Sequence, residues 1–367
     1  MSTDRIHVFI GTKAQYIKTA PLLRLMDGEG VDYRLIDSGQ HAAIARSMRQ
    51  ELGVREPDLC FGGSTDIATI SAALRWTATM SARLWSGRRI RSEVFGGRGG
   101  VCVVHGDTPS TLIAAVLAWR AGLRVAHLEA GLRSKSILHP FPEELIRILV
   151  MRFAHVCFAP TPDAVANLER MKRRGTIVPL SGNTSIEAVA YGLGEASVRD
   201  SGPAVVTMHR VENLRSRDRI DGFVRTVEKI ADRWPVRFVV HEPTRLALER
   251  TDAFERLTRA GVEITPLVSH GAFLEMLSNA PFVVIDGGSI QEECAYLGVP
   301  TLLWRGRTER EHGLGANVVL SAFDDNTVDA FLADPQRYRT PLSLPAETPS
   351  RQILKTLLAE LGTPRRS

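Results

Sequence analysis

Short, nearly continuous apolar runs rich in β-branched residues recur along this chain, and longer stretches of helical spacing separate them. Residues 5–10, 33–37, 101–106, 124–129, 155–160 and 176–181 read as strands, with helices over residues 21–30, 41–52 and 185–193 among those between them. A strand that is apolar on successive residues is covered on both faces, and helices between such strands supply the cover in parallel sheets. The pattern then restarts at 204–209 and continues through 236–243, 262–267, 281–288 and 299–305. Between the two series lies GLGEASVRDSGP (192–203), whose Gly, Ser and Pro suit an interdomain linker about which two halves hinge.

The prediction is an α/β protein of two Rossmann-like, doubly wound parallel-sheet domains with a central cleft. The N-terminal domain spans 1–192 and the C-terminal domain 203–345. A helix and tail over 346–367, with Ile353, Leu354, Leu357, Leu358 and Leu361 at helical spacing, pack back on the N-terminal domain. The length of 367 residues, about twice a typical domain, agrees.

Composition narrows the class further. With 44% hydrophobic and 24% charged residues, the chain is neither a disordered tail nor a coiled coil. A net charge of +5 suits anionic ligands and does not argue for nucleic acid. The basic run Arg88-Arg89-Ile90-Arg91 has no interleaved aromatic residues and reads as a solvated loop, within a helix and basic turn over 78–100. No stretch is apolar enough to span a membrane, and no signal peptide is read at the start. Cys60, Cys102, Cys157 and Cys294 form no metal-ligand spacing, so a reduced, cytoplasmic protein with free thiols and no metal is expected.

In an open parallel sheet, ligands bind beyond the carboxyl ends of the strands. Polar residues gather there: Gly11-Thr12-Lys13, His105-Gly106-Asp107-Thr108, Glu129-Ala130-Gly131, His209-Arg210, His241 and Asp286-Gly287-Gly288-Ser289. Each junction alone also reads as a helix N-cap. The Gly287-Gly288-Ser289 turn would aim backbone N–H groups at a phosphate, or else be a tight turn with Ser289 as the cap. It fits neither a P-loop nor a dinucleotide fingerprint. Asp107, Glu129 and Glu143 are carboxylates that could converge as acid and base. Glu143 also reads as the i,i+4 partner of Arg147.

These residues, in this order, resemble the non-hydrolysing UDP-N-acetylglucosamine 2-epimerase family, whose fold is that of GT-B glycosyltransferases. The matching stretches are GTKAQYIKTAPL, SGQH, VHGDTPSTL, HLEAGLRS, PFPEELIR, SGNTSIEAV, TMHRVENL, VVHEPTR and DGGSIQEECAYLGVPTLLWR with the following RTER. The resemblance implies elimination of UDP across C1–C2 of UDP-GlcNAc to a 2-acetamidoglucal, then re-addition to give UDP-ManNAc, with no cofactor and no metal. It implies Asp107, Glu129 and Glu143 as acid/base carboxylates and His209 as the group assisting UDP departure. Lys13, Lys18, Arg147 and His241 then line the substrate, Phe273 stacks on uracil, and Gly288, Ser289 and Glu293 meet the diphosphate and ribose. It also implies a homodimer and a UDP-sugar as the partner molecule.

The chain departs from the family pattern in places. The first turn, usually G-T-R-P-E, is Gly11-Thr12-Lys13-Ala14-Gln15, which loses a guanidinium and a carboxylate. The usual D-S-G-G is Asp286-Gly287-Gly288-Ser289, and Ala42 and Ala43 replace the polar residues of the allosteric signature. These edits touch the nucleotide end more than the C2 end. They leave a second reading, a GT-B glycosyltransferase or sugar-nucleotide hydrolase acting on a related UDP-sugar, which acceptor-dependent UDP release would reveal. A nucleotide-sugar binding protein without turnover is a third reading, against which the retained carboxylates and histidine argue.

Overall fold

Ile6, Val8 and Ile10 of the first strand are buried in one apolar cluster, and Phe9 is buried in another. His7, on the same face as Phe9, is buried as well, so neither face meets solvent, as a strand covered on both sides requires. The computed structural model describes residues 4–39, 42–61, 86–133, 143–172, 175–193, 199–308, 310–341 and 345–362. Gln40, His41, residues 140–142 of the PFPEELIR stretch, residues 194–198 of the linker, Glu309 and residues 364–367 lie outside them.

Among the described residues, thirteen strands form two parallel sheets. The first contains β1 (Arg5–Ile10), β2 (Tyr33–Asp37), β3 (Leu59–Cys60), β4 (Gly100–His105), β5 (Arg124–Leu128), β6 (Val156–Ala159) and β7 (Thr176–Pro179) in the order β3-β2-β1-β4-β5-β6-β7. The second contains β8 (Ala204–Val206), β9 (Val236–Val240), β10 (Glu263–Pro266), β11 (Val283–Ile285), β12 (Thr301–Leu303) and β13 (Val318–Leu320) in the order β10-β9-β8-β11-β12-β13. Each sheet is therefore doubly wound. The direction of winding reverses between β1 and β4 in the first and between β8 and β11 in the second, and such reversals are where open α/β sheets take ligands.

The chain divides into two compact units, Met1–Ala188 with Pro345–Ser367, and Val189–Leu344. In the first, the helix Pro349–Gly362 buries Ile353, Leu354 and Leu357 in the same cluster as Ile6, Val8 and Leu35. In the second, Phe238, Phe282, Leu302 and Trp304 pack on one face of the sheet, and Val239, Ile285 and Leu303 on the other.

Two details differ from the reading of the sequence. β3 and β13 lie outside the runs read as strands; β3 is only two residues long, and β13 is a short Val-Val-Leu run between Asn317 and Ser321. The basic run at Arg88–Arg91 lies on a helix, Gly87–Glu93, rather than in a loop. Ile90 and Val94, one turn apart, are buried and anchor that helix, while Arg89 pairs outward with Glu93 at 2.6 Å. No helix among the described residues is long and apolar enough to cross a membrane.

Candidate functional site

The polar residues collect at the two points where the winding reverses. In the first unit, β4 ends on His105, and the turn Gly106-Asp107-Thr108 leads into the helix Pro109–Arg120, which Thr108 caps by accepting from Thr111 N. Across the reversal, Thr12 caps the helix Lys13–Gly28, whose half-buried Lys13 is its first residue. Gln15 joins the two turns. Its Oε1 accepts from Gly11 N at 2.6 Å and Thr12 N at 3.1 Å, while its Nε2 donates to His105 O at 2.6 Å and Thr111 Oγ1 at 2.9 Å. A carboxylate could not donate to the His105 carbonyl, so the amide that stands here in place of the family's glutamate is a clamp between turns.

Glu129 follows β5 with φ of 59°, a left-handed conformation that costs a residue with a side chain about 1–3 kcal/mol. Its Oε1 is held by Lys18 Nζ and Asn183 Nδ2. Its Oε2 lies 3.6 Å from His105 Nε2, and His105 Nδ1 in turn sits 2.9 Å from Thr19 Oγ1. Lys18 is 5% exposed, so this ion pair sits largely out of water, where each charge depends on the other.

Asp107 belongs to a second network. Arg147 binds Asp107 through one nitrogen and Glu144 Oε2, at 2.8 Å, through another, and Arg133 binds the other oxygen of Glu144. Arg147 thus pairs with Glu144 one turn back, which corrects the i,i+4 partnership read for Glu143. Glu143 opens the helix Glu143–Phe153, and its Oε2 is buried without a hydrogen-bond partner among the described residues. His127 ties the two networks by donating from Nε2 to the carbonyl of Gly106 at 2.7 Å. Burial lowers the pKa of His127 to about 4, so the ring is a neutral donor at physiological pH.

In the second unit the centre is Asp286, fully buried just after β11. It accepts from His209 N at 3.0 Å, Arg210 N at 2.9 Å and Asn213 Nδ2 at 3.0 Å, which pins the turn after β8 to the turn after β11. His209 Nδ1 is 3.3 Å from Asp286 Oδ1, and the His209 ring stacks on His241 with centroids 5.1 Å apart. The helix Gly288–Leu297 has Gly287 as its N-cap and no side-chain cap. Ser289 is inside the first turn, so it is not the cap. This helix start supplies backbone donors and a positive dipole end for an anion.

One turn further on, Glu293 accepts from His270 Nε2 at 3.0 Å, and Glu292 pairs with Arg310. Phe273 is half-buried on the helix His270–Asn279. The structure therefore brings Lys18, Glu129 and His105 together, Asp107 and Arg147 together, and His209, His241 and Gly287 together. Asn183, Glu144 and Asp286 were not assigned roles from the sequence. Asn183 lies in the SGNTS stretch already singled out, but its partner is 54 positions away and no local pattern names it.

The family model described as UDP-N-acetylglucosamine 2-epimerase matches residues 24–334. A UDP-N-acetylglucosamine 2-epimerase of Methanocaldococcus jannaschii is 27% identical over 347 residues, covering 89% of this chain and 91% of that protein. A UDP-2,3-diacetamido-2,3-dideoxy-D-glucuronate 2-epimerase of Pseudomonas aeruginosa is 26% identical over 341 residues, covering 89% and 91%. Among solved structures, the M. jannaschii UDP-GlcNAc 2-epimerase in complex with UDP-GlcNAc and UDP superposes with a TM-score of 0.79. It is 25% identical, with 97% of this chain and 99% of that one covered.

Proposed function

The chain belongs to the UDP-N-acetylglucosamine 2-epimerase family of non-hydrolysing UDP-sugar 2-epimerases, and from that premise we propose that it interconverts UDP-GlcNAc and UDP-ManNAc. The observation that carries the reading is Glu129, held in a left-handed conformation beside a strand end by Lys18 and Asn183. A carboxylate fixed on one oxygen presents the other in a defined direction, which proton transfer at carbon demands.

In the proposed reaction, a carboxylate takes the proton from C2 and the C2–H electron pair forms the C1=C2 double bond. The bond from C1 to the diphosphate oxygen breaks, and UDP leaves with that pair. Re-addition of UDP to C1 and of a proton to the opposite face of C2 completes the inversion. Glu129, Asp107 and Glu143 serve as acid and base. His209 and the uncapped start of the helix Gly288–Leu297, with Gly288 and Ser289, stabilise the departing diphosphate. Lys13, Lys18, Arg147 and His241 line the substrate, Phe273 stacks on uracil, and Glu293 contacts the ribose.

A second reading keeps the reaction and changes the sugar. It is favoured by the P. aeruginosa relative, named for a diacetamido uronate and almost as similar as the relative named for UDP-GlcNAc. Separate incubations with UDP-GlcNAc and with the UDP-diacetamido uronate, analysed by anion-exchange chromatography, decide between them. Conversion of UDP-GlcNAc to a mixture with UDP-ManNAc supports the first. Conversion of the uronate alone supports the second.

A further inference from the structure

Glu293 is buried, and its carboxylate lies 3.0 Å, through Oε1, from Nε2 of a buried histidine, His270, on another helix. A carboxylate in this setting accepts, so Nε2 carries the proton and donates. His270 opens the helix His270–Asn279, and Phe273 stands three residues later, one turn along and on the same face. One helix therefore presents the aromatic ring assigned to the base and the donor that fixes the carboxylate assigned to the ribose. The neighbouring Glu292 is turned elsewhere, to Arg310 with His312 Nδ1 at 3.5 Å, so the two adjacent carboxylates each have a cationic or imidazole partner of their own.

We propose that His270 is a positioning residue for sugar selection in the nucleotide: by holding Oε1 of Glu293 it directs the carboxylate to the 2′,3′-diol of a uridine diphosphate and makes the site select ribose over 2′-deoxyribose. A glutamate with three single bonds to rotate loses orientation when that donor is removed, and an unfixed carboxylate discriminates poorly between a hydroxyl and a hydrogen. The inference rests on the reading of Glu293 as a ribose contact.

The experiment is calorimetric titration of the full chain with UDP and with 2′-deoxy-UDP. The wild-type protein is expected to bind UDP about tenfold to a hundredfold more tightly, the range of one hydrogen bond to a charged group. In His270→Leu, UDP affinity falls until the ratio of the two affinities approaches one, while 2′-deoxy-UDP binding changes by less than about threefold. His270→Gln, which keeps a side-chain N–H donor, restores most of the ratio. Equal weakening of both nucleotides in His270→Leu and His270→Gln overturns the proposal, because it marks a packing role alone. So does an unchanged wild-type ratio in His270→Leu. Absence of UDP binding by the wild-type protein would instead overturn the nucleotide-site reading itself, and the two failures are distinct.

Discussion

Gly287 lies against the imidazole of His209 so closely that a Cβ on it would stand 2.5 Å from Cε1 and 3.0 Å from Nε2 of the ring. The backbone at Gly287 is extended, with φ of −94°, so close approach rather than conformation requires glycine there. The family's serine at this position would displace the ring, so the Gly287 of this chain and the placement of His209 go together.

Gly287→Ala is accordingly expected to lower kcat by tenfold or more with little loss of stability. The His209 side chain is one-third exposed and can swing aside. In a His209→Ala background the same substitution should add almost nothing, which a double-mutant cycle on kcat measures.

Lys18→Met leaves the Glu129 carboxylate buried with one cation fewer, and removing one member of a buried pair costs about 3–5 kcal/mol. Chemical denaturation should show a loss of that order. Replacing both residues, as Lys18→Met with Glu129→Leu, should recover much of the stability and none of the activity. Recovery of activity would contradict the role assigned to Glu129.

Glu144 is fully buried between Arg133 and Arg147, and Arg147 in turn holds Asp107. Glu144→Ala leaves Arg147 uncompensated on one side, so a stability loss of about 3 kcal/mol and a fall in kcat/KM are expected together. Glu143→Gln should behave differently, lowering kcat with near-native unfolding, since no described ion pair depends on it.

Two buried histidines set a pH dependence of stability. Burial lowers the pKa of His7 and of His127 to about 4, below the ordinary 6.5. Below about pH 6.5 the unfolded chain takes up protons at both sites, and the folded chain takes them up only near pH 4. Stability therefore falls as pH drops from 6.5 to 4 and levels off below, by roughly 3 kcal/mol for each residue. Denaturation midpoints measured across this window should slope accordingly, and His127→Asn should flatten the slope by about half.

The parallel sheets were legible because runs such as Val101–Val104 are apolar on every residue, which only burial on both faces explains. From spacing alone Asp107, Glu129 and His209 were legible only as strand ends, and their roles came from the family resemblance, because the chain order carries no record of which ends meet. Lys18 and Glu129 are 111 positions apart, and the donor that completes their cluster, Asn183, comes from a third segment. Glu143 and Glu144 both stand within reach of Arg147 on a helix, and only the packing of Asp107 and Arg133 selects Glu144. Gln15 was read as a lost carboxylate, yet its amide donates where a carboxylate could not.

The most direct test of the central claim is proton NMR of UDP-GlcNAc incubated with the protein in D2O. Elimination across C1–C2 predicts deuterium at C2 of the sugar in both UDP-GlcNAc and UDP-ManNAc, and no such exchange with Glu129→Gln. Formation of UDP-ManNAc with hydrogen retained at C2, or exchange undiminished in Glu129→Gln, would contradict the account.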